Sequence, residues 1–114
     1  MLVEEARIYE RNYYWNLHLE WLLENKPQFV KRLFFKDREK LRMFLSQKVK
    51  QAMDIGYRLQ EKGLPPNEVE EYEMEVIAPP PPEDEPEPLP DRLRSAILRW
   101  AENPDKGKLK ITFL

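Results

Sequence analysis

The segment from Ala78 to Pro90 holds seven prolines and four acidic residues. Proline has no amide hydrogen, and its ring collides with a preceding helical turn. The segment therefore cannot be a helix or a central strand. Pro79 to Pro82 are expected to run as extended polyproline II, at about 3.1 Å per residue. The chain is divided into a longer N-terminal part and a short C-terminal part, and the segment between them is either a solvated linker or a strap laid over the surface.

Before the prolines, hydrophobic spacing predicts helices. Ile8, Trp15, Leu19 and Leu22 recur on one face of a helix over Ile8 to Leu23, with Tyr14, His18 and Trp21 as an adjacent stripe. Pro27 cannot continue that helix and suits the first turn of the next, in which Val30, Leu33 and Phe34 face one side. Asp37 is a good N-cap for a long helix over about 38–62, with a seam of Leu41, Leu45, Val49, Ala52, Gly56 and Leu59. Gly63 fits the left-handed position just beyond its end.

Pro65 and Pro66 followed by Glu68 suit another helix start. Val69, Tyr72 and Val76 would line its inner face, although Tyr72, Met74 and Val76 also alternate as a strand would. After the strap, Leu93, Ala96, Ile97 and Trp100 give a last helix its apolar side. Lys108 to Leu114 alternates in the manner of a β-strand. The expected fold is mostly α: one domain over 1–114, a small bundle of four to five helices with the acidic proline-rich segment 78–90 and a short C-terminal strand.

Charge is strongly segregated beneath a net of −2. Residues 26–62 carry eleven basic and four acidic groups, whereas residues 63–91 carry ten acidic and no basic ones. The two blocks are complementary, and an intramolecular pairing between them is expected. No cysteine is present, so thiolate chemistry and disulfides are excluded, and no apolar run approaches a membrane span. The N-terminal residues lack the basic and apolar regions of a secretory signal. These features predict a cytoplasmic protein without membrane contact.

Enzymatic constellations are missing from the sequence. His18 is the single histidine, and neither Ser46 nor Ser95 sits in a nucleophile elbow. The glycines are isolated, so no phosphate-cradling loop exists. Glu68, Glu71 and Glu75 share a helical side, which a solvated surface explains more simply than a cation site does. No enzyme activity, cofactor, metal or small-molecule substrate is expected.

Two features suit binding. Tyr9, Tyr13, Tyr14, Trp15 and Trp21 crowd thirteen residues, more than one helix face can bury. Of these, Tyr13, Tyr14, Trp15 and Trp21 are candidates for a protein interface, with a partner or with a second copy. Alternatively, and as the favoured reading, those rings pack in the core against neighbouring helices or on the strap. The basic block offers Lys31, Arg32, Lys36, Arg38 and Arg42 as candidate phosphate contacts, with Phe34 and Phe35 able to stack on bases. The pI near 5.6 argues against a dedicated nucleic-acid binder.

Leu19-x-x-Leu22 leading to Pro27, the basic central helix, Gly63-Leu64-Pro65 and Glu68-x-x-Glu71 together resemble small uncharacterised helical proteins of bacterial mobile elements, including conjugative transposons. The resemblance spans residues 15–79 and implies a bacterial accessory role, with no functional residue carried over. The expected function is that of a non-enzymatic accessory protein acting by protein–protein contact. A nucleic-acid-associated protein is the alternative, and a small enzyme or metal-binding protein stands third.

Overall fold

The computed structural model describes residues 2–105. The expected strand over 108–114 lies outside the described residues. Among those described, six helices follow one another: α1 (Val3–Tyr9), α2 (Tyr13–Asn25), α3 (Pro27–Lys36), α4 (Arg38–Glu61), α5 (Pro66–Ile77) and α6 (Asp91–Glu102). The long helix α4 touches α1, α2, α3 and α5 and forms the spine. The molecule measures 53 × 36 × 18 Å. Its short dimension is about two helix diameters, so most helices keep one side in water.

The expected single helix over Ile8–Leu23 is two helices, which raises the number from the expected four or five to six. Asn12 is the reason. Its side-chain oxygen accepts the Tyr14 amide at 2.9 Å and caps α2. A local cap of this kind competes with continued helix. Ile8 is consequently 70% exposed and does not extend the Trp15 stripe. The break lets α1 lay Ala6 against α4 and aims Glu5 and Glu10 at that helix.

The seam of α4 packs as its spacing predicts: Leu41, Leu45, Val49, Ala52 and Gly56 are all buried. They meet Trp15, Leu19, Leu22 and Leu23 of α2, and Val30 and Phe34 of α3 join the same core. Asp37 caps α4 by accepting the Lys40 amide at 3.2 Å. At the other end Gly63 has φ of +87°. Its amide bonds Gln60 and the Leu64 amide bonds Leu59, the paired closing bonds of a Schellman motif.

Residues 66–77 are helical, as Pro66 at the first turn and Glu68 near the N-terminal dipole require. The inward face is rotated from the expected one. Val69 and Ile77 are buried and Glu73 is half-buried, whereas Tyr72 is exposed. Gly56 of α4 makes the room for Glu73: a Cβ there would sit 2.6 Å from Oε2 of Glu73. In α6 Ile97 is buried and Trp100 packs on Trp15 and Phe34, while Ala96 faces solvent.

Candidate functional site

The proline segment is anchored at both ends. At its start, Trp21 Nε1 donates to the Pro79 carbonyl at 2.9 Å, and the preceding Ile77 is fully buried. At its end, Leu89 enters the core. Between these anchors the chain bends at Glu83 and Asp84, and Glu83, Asp84, Glu85 and Glu87 are exposed. None of the four makes an ion pair or hydrogen bond in the described structure.

The anchoring overturns the expected charge pairing between the acidic and basic blocks. The described ion pairs join instead Glu10, just past α1, to Arg42, Glu5 of α1 to Lys50 and Glu39 to Arg42 within α4, with Asp105 reaching Arg7 and Arg42. The strap is held by an indole hydrogen bond and a buried leucine, and its four carboxylates are exposed.

Three of the four candidate interface aromatics serve this internal architecture. Trp15 is fully buried; its Nε1 donates to Ser46 Oγ at 3.2 Å, and that hydroxyl donates to the Ala6 carbonyl at 2.8 Å. The relay joins α2, α4 and α1 through groups that have no access to water. Tyr14 is buried and donates to Glu73 at 3.3 Å. Burial, the adjoining Tyr13 hydroxyl and the Glu73 charge all raise the Tyr14 phenol above its ordinary pKa. Burial likewise raises the Glu73 carboxyl, against the pull of the Tyr14 hydrogen bond. Trp21 is half-buried under the strap. Tyr13 alone stays open, its hydroxyl directed to Glu70. The quartet is therefore no continuous surface. Burying Trp15 and Tyr14 removes more apolar area from water than any surface arrangement would.

The basic candidates also separate. Arg42 is 3% exposed and is bound by Glu10, Glu39 and Asp105, so it is a structural cation rather than a phosphate contact. The Glu10 hydrogen bonds raise its pKa despite the burial. Arg38 donates Nε to the Phe34 carbonyl at 3.0 Å and lies 4.0 Å over the Phe34 ring, closing the end of α3. Lys31, Arg32 and Lys36 remain exposed and, among the described residues, without acidic partners. With Gln28 and Phe35 they line one shallow depression on the outer face of α3. Phe35, 64% exposed, sits among the three cations.

His18 is enclosed between Trp21 and Phe44, with ring centroids 6.0 and 5.9 Å away. Its Nδ1 bonds the Ile77 carbonyl at 2.7 Å, while its buried Nε2 has no partner. Burial lowers its pKa, and Lys48 lowers it further, against the raising effect of the Ile77 bond. Such a histidine holds the end of α5 and is closed to substrates. Ser46 is equally committed by its relay. Among the described residues no three His, Cys, Asp or Glu side chains gather to hold a metal ion, and no helix is long and apolar enough to cross a membrane.

The three α3 cations and the base-stacking candidate Phe35 are legible in the sequence one by one, and the structure joins them into one face. The signal was present in the i, i+4 spacing of Lys31 to Phe35 and Arg32 to Lys36. The roles of Glu10, Ser46 and Glu73 had no comparable signature. No protein-family profile, curated protein or solved structure matches the chain.

Proposed function

We propose that this protein is a non-enzymatic accessory protein that acts by protein–protein contact, through the outer face of α3. The observation that carries this reading is the set Lys31, Arg32, Phe35 and Lys36: three exposed cations, without acidic partners among the described residues, around one exposed aromatic ring. An aromatic anchor ringed by charge is a common form of contact surface. Its charge selects an acidic partner. A bacterial accessory setting, as the resemblance implies, and a cytoplasmic location belong to the same proposal.

The reading is tested with a fluorescently labelled acidic peptide rich in glutamate and proline, followed by anisotropy. Binding is expected at low salt, and the triple variant Lys31→Glu, Arg32→Glu, Lys36→Glu is expected to lose it. Equal affinity of wild type and triple variant would refute the assignment.

Phe35 among cations also favours a second reading, single-stranded nucleic acid bound by phosphate contacts and one stacked base. Tight binding of a labelled oligonucleotide, lost with rising salt and in Phe35→Ala, would support it over the first.

A further inference from the structure

We propose that the partner of the α3 face is the acidic strap of a second copy of this chain, with Glu83, Asp84 and Glu85 set against Lys31, Arg32 and Lys36. The inference rests on the reading of α3 as a contact surface and names its occupant.

Three observations lead there. The first is charge complementarity between two exposed surfaces that remain unsatisfied among the described residues of one molecule. Among the described residues the strap carboxylates have no cationic partners, and the α3 cations have no acidic ones. The path of the strap is set by Trp21 at Pro79 and by Leu89 in the core, and along that path no basic side chain among the described residues pairs with it. A second copy brings the two surfaces together.

The second is preorganisation. The stretch from Pro80 to Pro88, exposed apart from a half-buried Pro86, is held at both ends, and proline occupies five of its nine positions. Little conformational entropy remains to be lost on docking, which favours association through a modest surface. The chain bends at Glu83 and Asp84, and both residues are exposed.

The third is chemical match at the centre of the depression. Phe35 lies open between the cations. Prolines pack well on aromatic rings, the mode by which proline-rich ligands enter aromatic-lined grooves. The strap supplies Pro80, Pro81 and Pro82 beside its acidic tip. One docked strap thus offers a ring contact and three charge contacts to a face that displays one ring and three cations.

The test is the mass of the full chain in solution, by sedimentation equilibrium. Two variants are used: one with Lys31→Glu, Arg32→Glu and Lys36→Glu, the other with Glu83→Lys, Asp84→Lys and Glu85→Lys. All six side chains are exposed, so thermal unfolding near 1 M salt, where every form is monomeric, is expected to be unchanged, which serves as the folding control. Wild type should associate at about 0.05 M salt and dissociate toward monomer near 1 M, where the screening length falls to about 3 Å. Each variant alone should associate at least about tenfold more weakly, because three attractive pairs become repulsive. An equimolar mixture of the two variants should regain association, since each then carries the complement of the other.

A wild type that stays monomeric at low salt would overturn the proposal, as would association that neither variant weakens. Failure of the mixed variants to recover would overturn it too. If wild type is monomeric yet binds the labelled acidic peptide through α3, the occupant is wrong while the contact surface stands. If the peptide also fails to bind, the surface itself is wrong.

Discussion

Nδ1 of His18 lies 2.7 Å from the carbonyl oxygen of Ile77, the last residue of α5. A carbonyl only accepts, so Nδ1 carries the proton and donates. Nε2 is then the bare nitrogen, buried without a partner. Protonating it would place a charge in a dry site between Trp21 and Phe44, with Lys48 nearby, and burial accordingly lowers its pKa. At neutral pH both folded and unfolded chains hold His18 neutral. As pH falls below about 6.5 the unfolded chain takes up a proton that the folded one resists, so stability declines until the folded pKa is reached. Urea midpoints at about pH 7.5 and about pH 5 should fall more in wild type than in His18→Gln. Glu73 titrates alike in both proteins and cancels in the comparison. Identical shifts would acquit His18.

Ser46→Ala removes the centre of the relay from Trp15 to Ala6. It leaves a buried indole N–H and a buried carbonyl without their partners, so the expected loss is about 1–3 kcal/mol. Denaturant unfolding should show it as a lower midpoint at unchanged slope. Ser46→Cys, with similar volume and a weak S–H donor, should recover part of it.

Arg42→Ala leaves Glu10, itself 14% exposed, beside a hole where its guanidinium was. Breaking a buried pair by deleting one side typically costs about 3 kcal/mol or more. Because the pair is enclosed, the wild type should owe little of that stability to low salt. A midpoint difference that vanishes at high salt would mark the pair as superficial.

Leu89→Ala cuts the rear anchor of the strap and is expected to cost about 2–3 kcal/mol, the low end for a leucine truncated at the edge of a core. Trp21→Phe keeps the ring but drops the Pro79 hydrogen bond, at about 1 kcal/mol. Combining the two should exceed their separate effects, because one segment serves both anchors. Strict additivity in a double-mutant cycle would show that the anchors act independently.

Gly63→Ala tests the end of α4. At φ of +87° a Cβ is strained although nothing lies within 4 Å of it. Thermal unfolding should reveal a loss of about 1 kcal/mol. An unchanged midpoint would mean that the Schellman turn relaxes without it.

Much of this architecture is legible in local spacing. The α4 seam, Asp37 and Gly63 at its two ends, and Pro66 opening α5 each reflect the chemistry of a few neighbouring residues. The break at Asn12 is legible too once its cap is weighed against the apolar stripe: a one-residue cap outranked the Ile8 to Trp15 spacing. The candidate surface divided unevenly. Lys31, Arg32 and Lys36 stand out as an exposed face, but Arg38 and Arg42 look equivalent to them in sequence and are not. Arg42 is turned inward because Glu10, thirty-two residues earlier, waits for it.

From its sequence alone the chain is bound to be helical and to be interrupted at 78–90, since backbone donors, proline rings and 3.6-residue spacing act over a turn or two. Which aromatics vanish into the core, which cations meet a carboxylate and where the strap is pinned depend on residues brought together from distant helices. Composition places an acidic block after a basic one and suggests that they pair. Tertiary structure decides otherwise, because the strap is fastened by Trp21 and Leu89, and these hold its carboxylates out in the water.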